Sequence, residues 1–174
     1  VLVMGGGGGV GPLAELAERL AALDAEAQVV VVCGTNTRLR ASLEALPAAR
    51  AGRIRPLGFT TDVDVLLEAC DVVVSKAGGL TCAEALIKRA PLVVFKPTPG
   101  QEVRNTEYLV AGGAAVHADS IEAVETAVTR WLADPAARER AREAAGRLAA
   151  PDAAEKIARR VLAGIPVAAG AGRG

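Results

Sequence analysis

The sequence predicts an α/β domain, a parallel six-stranded sheet with helices on both faces. Two observations carry that prediction. Short, valine-rich apolar runs recur along the chain, and the stretches between them repeat apolar residues at helical spacing. Runs that short and that uniformly apolar suit strands buried on both faces. Their alternation with helices suits parallel strands joined by crossovers, which makes the domain Rossmann-like.

The first strand, Val1–Met4, leads into a glycine-rich loop and then a helix on which Leu13, Leu16, Leu20 and Leu23 share one face. Further strands follow at Gln28–Cys33, Arg53–Leu57, Asp71–Ser75, Pro91–Phe95 and Ala114–His117. Between them, Leu80, Ala83, Leu86 and Ile87 mark one helical face, and Thr106, Leu109 and Val110 another. After Ser120 only helices are expected. Ile121–Ala133 is followed by Asp134-Pro135, a cap and first-turn proline that open a new helix. Pro151-Asp152 interrupts that helix near Ala150, and Ala153–Leu162 forms the last one. The domain is expected to span residues 1–163, with 164–174 a disordered tail of glycine, alanine and proline. The chain opens on an apolar strand with no initiator methionine, and is expected to be a piece of a longer protein.

Composition narrows the function. The 174 residues carry 20 basic and 20 acidic side chains, so no net charge draws the chain to nucleic acid or an anionic membrane. With 2% aromatic residues, platforms for stacking single-stranded bases are excluded. Cys33, Cys70 and Cys82 are odd in number and contain no CxxC, which argues against a disulfide framework or a zinc site and for a reducing, cytoplasmic compartment. No apolar run reaches the ~18 residues of a membrane span.

In an open parallel sheet, ligands collect at the carboxyl ends of the strands, and the unusual residues are there. The first strand ends in Gly5-Gly6-Gly7-Gly8-Gly9-Val10-Gly11, just before a helix. Glycines admit an anion close to the backbone, and a helix start supplies free N–H groups, so the loop points to a phosphate or diphosphate. The second strand ends Val32-Cys33-Gly34-Thr35-Asn36, without the carboxylate a nicotinamide dinucleotide would want for its ribose.

The fourth strand runs into Ser75-Lys76-Ala77-Gly78-Gly79-Leu80-Thr81-Cys82-Ala83-Glu84, where a second glycine pair opens a second helix. Two helix starts aimed at one place suit a diphosphate without a metal. Thr81 and Glu84 have the T-x-x-E spacing of a capping box; the competing reading has Glu84 facing the crevice and gripping two vicinal hydroxyls. Lys76 either neutralises phosphate or is simply solvated, and Cys82 is expected to be buried and inert. After the fifth strand come Pro97-Thr98-Pro99-Gly100 and then Gln101, Glu102 and Asn105 on the first turn of a helix, either readers of sugar hydroxyls or only a polar helix start. His117, the one histidine, reads as a surface residue rather than a base.

Taken in order, these loops resemble the C-terminal half of family 28 glycosyltransferases. The likeness rests on residues 4–11, 75–85 and 97–105, and is strongest to monogalactosyldiacylglycerol synthases and processive diacylglycerol glucosyltransferases. The lipid II-forming GlcNAc transferase is a more distant relation. The resemblance covers about residues 1–130. It implies the C-terminal half of a GT-B fold, binding a UDP-sugar donor, with an N-terminal domain supplying the acceptor site at a membrane surface. By the same resemblance, Glu84 would bind the ribose hydroxyls. The backbone of Gly78, Gly79, Leu80 and Thr81 would hold the diphosphate, helped by Gly5–Gly9. Phe59 and Thr60 would grip the uracil edge through the main chain, and Gln101 and Glu102 match the pair that reads the donor sugar, with Asn105 a candidate on the same helix start. The Gly-Gln-Glu sequence favours a hexose over GlcNAc.

An inverting transfer to a lipid hydroxyl such as that of diacylglycerol follows from the resemblance, with UDP leaving and no cofactor or metal required. No general base is evident in this chain, so it is expected to be inactive without the acceptor domain. The alternatives are a stand-alone donor-binding subunit of a two-chain GlcNAc transferase, and a UDP-sugar epimerase of GT-B fold.

Overall fold

The computed structural model describes residues 1–23 and 26–164. The six expected strands form one sheet: β1 (Leu2–Met4), β2 (Val29–Val32), β3 (Ile54–Leu57), β4 (Val73–Ser75), β5 (Leu92–Phe95) and β6 (Ala115–Ala118). Their order is β3-β2-β1-β4-β5-β6, and every pairing is parallel. Chain direction therefore reverses its sense of winding between β1 and β4. A crevice opens there at the carboxyl edge, because the connections leaving these two strands go to opposite faces.

The helices are α1 (Leu13–Leu23), α2 (Thr37–Glu44), α3 (Pro47–Arg50), α4 (Val63–Ala69), α5 (Gly79–Ile87), α6 (Gln101–Ala111), α7 (Ile121–Ala133), α8 (Pro135–Leu148) and α9 (Ala153–Gly164). Strand alternation divides the core in two. Val3, Val74, Val93 and Phe95 pack under α1 and α7 with Leu13, Leu16, Val124 and Trp131. Leu2, Met4, Val73 and Val94 face the other way, onto Leu67, Cys82, Ala85 and Leu109 of α4, α5 and α6. The expected capping at Asp134 is present: its Oδ1 accepts from Ala137 N at 2.9 Å, with Pro135 in the first turn of α8.

Several expectations about faces need correcting. Leu23, Val110 and Ile87 are 38%, 41% and 48% exposed, and Leu80 is 82% exposed. In α5 the buried residues are Cys82 and Ala85, one step round the helix from the predicted face. Leu80 sits in the first turn of α5, before the buried residues Cys82 and Ala85. The capping box is also absent. α5 starts at Gly79 with Gly78 as its cap and no side-chain cap bond, so Thr81 is already inside the helix.

No residue of α9 is buried. The tail expected to be disordered lies outside the described residues, except for Gly164, which ends α9. Among the described residues, no helix is long and apolar enough to cross a membrane.

Candidate functional site: a nucleotide-sized cleft at the carboxyl edge of the sheet

The glycine loop turns on two short bonds, Gly9 N to Gly6 O at 3.0 Å and Val10 N to Gly5 O at 3.1 Å. Its packing explains some glycines and not others. A Cβ on Gly9 would lie 2.2 Å from the Cys33 carbonyl oxygen, at a φ of +55° that side chains rarely adopt. A Cβ on Gly7 would meet nothing within 4 Å, and φ there is not positive. Gly7 is thus a glycine that the domain's own packing does not require. Its exposed edge borders the cleft.

The loop is held from the β2–α2 side. Thr35 donates its backbone N–H (3.0 Å) and its hydroxyl (3.3 Å) to the Gly7 carbonyl. Asn36 Nδ2 donates to Gly9 O at 3.2 Å, while its Oδ1 accepts from Leu39 N at 2.9 Å and caps α2. Neither residue was singled out from the sequence. The available signal was Asn36 itself, a good cap residue directly before a helical stretch.

Across the crevice, the first hydrogen bond of α5 is Cys82 N to Gly78 O at 2.9 Å. The amides of Gly79, Leu80 and Thr81 are therefore not spent within the helix, and they add to the positive end of its dipole. The β4–α5 turn is tied to α6 by Asn105, whose Nδ2 donates to Ala77 O at 2.8 Å. Glu102 turns back to accept from Thr98 N at 2.5 Å. Gln101 is exposed at the start of α6, and its side chain makes no hydrogen bond among the described residues.

A cleft of about 220 Å³ lies between these pieces. Gly6 and Gly7 reach it from the glycine loop, Phe59 and Thr60 from the β3–α4 loop, and Leu80, Thr81 and Glu84 from α5. Phe59 is 71% exposed, and with Leu80 it gives the cleft an exposed apolar wall. The Glu84 carboxylate is exposed and makes no hydrogen bond or ion pair among the described residues, so it can accept from a ligand. Gly5 and Gly9 are buried behind the loop rather than on the cleft. Gly8, Gly78, Gly79, Gln101, Glu102 and Asn105 are not on its walls either; the last five form the adjoining region where α5 and α6 begin.

The other titratable candidates are peripheral. Cys82 is buried, and desolvation, with Glu102 nearby, pushes its thiol up to about 11. Burial does the same to Cys70, so neither is an activated nucleophile. His117 is exposed on β6, with Nε2 3.3 Å from Asp119 Oδ1, away from the cleft. Among the described residues, no group of three or more His, Cys, Asp or Glu side chains is placed to hold a metal ion.

Comparison with known proteins shows the family and the fold. A family model described as the glycosyltransferase family 28 C-terminal domain matches residues 1–157. The chain is 39% identical over 167 residues to a probable monogalactosyldiacylglycerol synthase 3 of Oryza sativa subsp. japonica, covering 91% of this chain and 32% of that protein. It is 39% identical over 135 residues to the processive diacylglycerol beta-glucosyltransferase of Bacillus subtilis, covering 77% of this chain and 35% of the relative. The chain thus spans about a third of the length of these curated relatives.

Among solved structures, Acinetobacter baumannii MurG superposes with a TM-score of 0.69 at 21% identity, over 94% of this chain and 52% of that one. A Staphylococcus aureus MnaA–UDP structure gives 0.72 at 16% identity, over 92% and 44%. Both likenesses are of fold.

Proposed function

The chain belongs to the glycosyltransferase family 28 C-terminal domain family, and we propose that it is the donor-binding half of an inverting enzyme that transfers a hexose from a UDP-sugar to a lipid hydroxyl such as that of diacylglycerol. The observation that carries the reading is the convergence of an unpartnered carboxylate, Glu84, with the unspent amides of α5 and the open edge of Gly7 on one cleft. A nucleoside diphosphate asks for that combination. The carboxylate accepts from two ribose hydroxyls, and the amides and glycine backbone receive the phosphates.

In this reading, the exposed main chain at Phe59 and Thr60 takes the base edge. Gln101 and Glu102 at the start of α6 lie beyond the phosphates, where the sugar would project. The acceptor hydroxyl attacks the anomeric carbon as UDP departs, and the helix starts stabilise the charge that develops on the diphosphate. The general base comes from outside this chain: among the described residues, the carboxylate at the sugar position is that of Glu102, which is engaged by Thr98 N. The chain alone is therefore inactive, and a lipid acceptor reaches it through an N-terminal domain. The two relatives, a probable monogalactosyldiacylglycerol synthase and a processive diacylglycerol beta-glucosyltransferase, support that acceptor class.

Calorimetric titration with UDP, UDP-glucose, UDP-galactose, UDP-GlcNAc and NAD tests the reading. The expected result is metal-independent UDP binding that weakens at least tenfold in Glu84→Ala, a loss of ~1.4 kcal/mol. Binding of NAD in place of UDP, or UDP binding indifferent to Glu84, overturns it.

A further inference from the structure

Two loops at the carboxyl edge of the sheet interlock. Gly34, in the turn between β2 and α2, has φ +58°, and a Cβ there would lie 2.1 Å from the Gly7 carbonyl oxygen. Gly9 meets the same turn in return, against the Cys33 carbonyl. Each loop thus carries a glycine that the other requires. Contact this close lets the β2–α2 turn grip the glycine loop at two points, Gly7 and Gly9.

Thr35 makes the first grip, with its backbone N–H and its hydroxyl both on Gly7 O. Asn36 makes the second, and its amide fits only one way round. Leu39 N is a donor, so Oδ1 faces it at 2.9 Å; Gly9 O is an acceptor, so Nδ2 faces that at 3.2 Å. One half-buried side chain therefore caps α2 and holds the glycine loop. Neither Thr35 nor Asn36 lines the cleft.

The two grips fix two peptide planes. In a trans peptide the C=O and the next N–H point in opposite directions. The carbonyls of Gly7 and Gly9 both face the β2–α2 turn, so the amides of Gly8 and Val10 face away from it. Val10 N is spent on Gly5 O at 3.1 Å. Gly8 is exposed, and its N–H makes no hydrogen bond among the described residues. β2 and β4 flank β1 on opposite sides, so the side away from the β2–α2 turn is the side where α5 begins. Gly6, Gly7 and Gly8 are all exposed, so ordering them costs chain entropy without burying apolar surface. Packing of the domain does not account for it.

We propose that Asn36, supported by Thr35, is a positioning residue for the phosphate-receiving loop. It acts from outside the cleft, fixing the Gly7–Gly9 backbone so that the Gly8 N–H is turned toward the ligand before the ligand arrives. The proposal rests on the donor reading above and adds to it a residue that does not itself touch the donor. A loop ordered in advance loses less freedom when the diphosphate binds, and that difference is the affinity Asn36 supplies.

Asn36→Asp separates the two bonds. Aspartate keeps the acceptor that caps α2, where its charge also suits the helix start. In place of the Nδ2 donor it sets an oxygen that repels the Gly9 carbonyl. The test is a titration of the ¹⁵N-labelled 174-residue chain and this variant with UDP and, separately, with uridine, followed by NMR and accompanied by thermal melts. In the parent, UDP should shift the Gly8 amide and uridine should not. Asn36→Asp should hold its Tm within about 2 °C. It should bind UDP about fivefold more weakly, the order of one net hydrogen bond. Uridine carries no phosphate and should bind both proteins alike. Thr35→Val keeps the backbone donor and loses only the hydroxyl, so it should weaken UDP less than Asn36→Asp does and also leave uridine unchanged.

If the parent binds UDP and Asn36→Asp binds it equally well, the positioning role is overturned and the donor reading stands. A variant that loses UDP and uridine in the same proportion, or loses UDP only as its Tm falls, makes Asn36 a structural residue and overturns the role as well. A parent that does not bind UDP overturns the donor reading, and the role goes with it.

Discussion

Asn105 Nδ2 donates a 2.8 Å hydrogen bond to the carbonyl of Ala77, and this one bond ties the start of α6 to the turn that launches α5. Ala77 is buried and precedes Gly78 and Gly79, which lack a side-chain cap. The amides proposed to receive the phosphates are thus positioned from a neighbouring helix rather than by their own cap. Asn105→Ala should cost about 1 kcal/mol of stability, a fall in Tm of about 2–4 °C for a chain of this size. UDP affinity should fall with it. Titration with UDP and with UDP-glucose separates positioning from sugar contact. Equal losses for both ligands mean that Asn105 acts through the α5 turn, and a loss confined to UDP-glucose means that it touches the sugar.

Glu102 is engaged in a similar way, accepting from Thr98 N at 2.5 Å across the β5–α6 loop. A glutamine there keeps an acceptor for Thr98 but gives up the charge. Glu102→Gln should therefore leave UDP binding and Tm unchanged. It should reduce the preference for UDP-glucose or UDP-galactose over UDP-GlcNAc at least threefold, as read from competitive titrations. An unchanged preference would reduce Glu102 to a loop support.

The buried thiols set an alkaline limit. Cys70 and Cys82 have folded-state pKa values pushed up to about 11 from an ordinary 9.0, with burial as the main cause. The unfolded chain releases these protons first. Their contribution is therefore intact below pH 9 and lost as pH rises toward 11. Tm should fall across that window, and Cys82→Ala should fall less steeply. At pH 8, a thiol reagent should modify none of the three cysteines until the chain is denatured, since all three are buried.

The sheet was legible because its inner strands are buried on both faces or nearly so, so the valine runs at 29–32, 72–74 and 93–94 carry the signal without needing alternation, while the edge strands β3 and β6 expose Arg55 and His117. α2 was not legible for the opposite reason: of its eight residues only Leu43 is buried, and one buried leucine has no period. Glu84 shows the limit of spacing. T-x-x-E fits a cap and a ligand equally well, and only the start of α5 at Gly79 removes the cap. Phe59 and Thr60 came from family resemblance, since nothing in a Gly-Phe-Thr-Thr loop announces a cleft wall.

The glycine loop offers the sharpest separation of folding from binding. Gly9→Ala must place a methyl 2.2 Å from the Cys33 carbonyl at a left-handed φ, so the β1–α1 and β2–α2 loops have to part. That should cost more than the ~1 kcal/mol of the conformation alone and lower Tm by several degrees. Gly7→Ala meets nothing within 4 Å and needs no unusual φ, so its Tm should match the parent within about a degree. Its methyl would sit at the cleft wall, where the proposed phosphate approaches the backbone, and UDP should bind at least fivefold more weakly. Thermal melts and UDP titrations on the two variants decide the matter. If Gly7→Ala binds UDP as the parent does, the loop is a packing device and the phosphates lie elsewhere. If it loses binding while keeping its Tm, the open edge of Gly7 is there for the ligand.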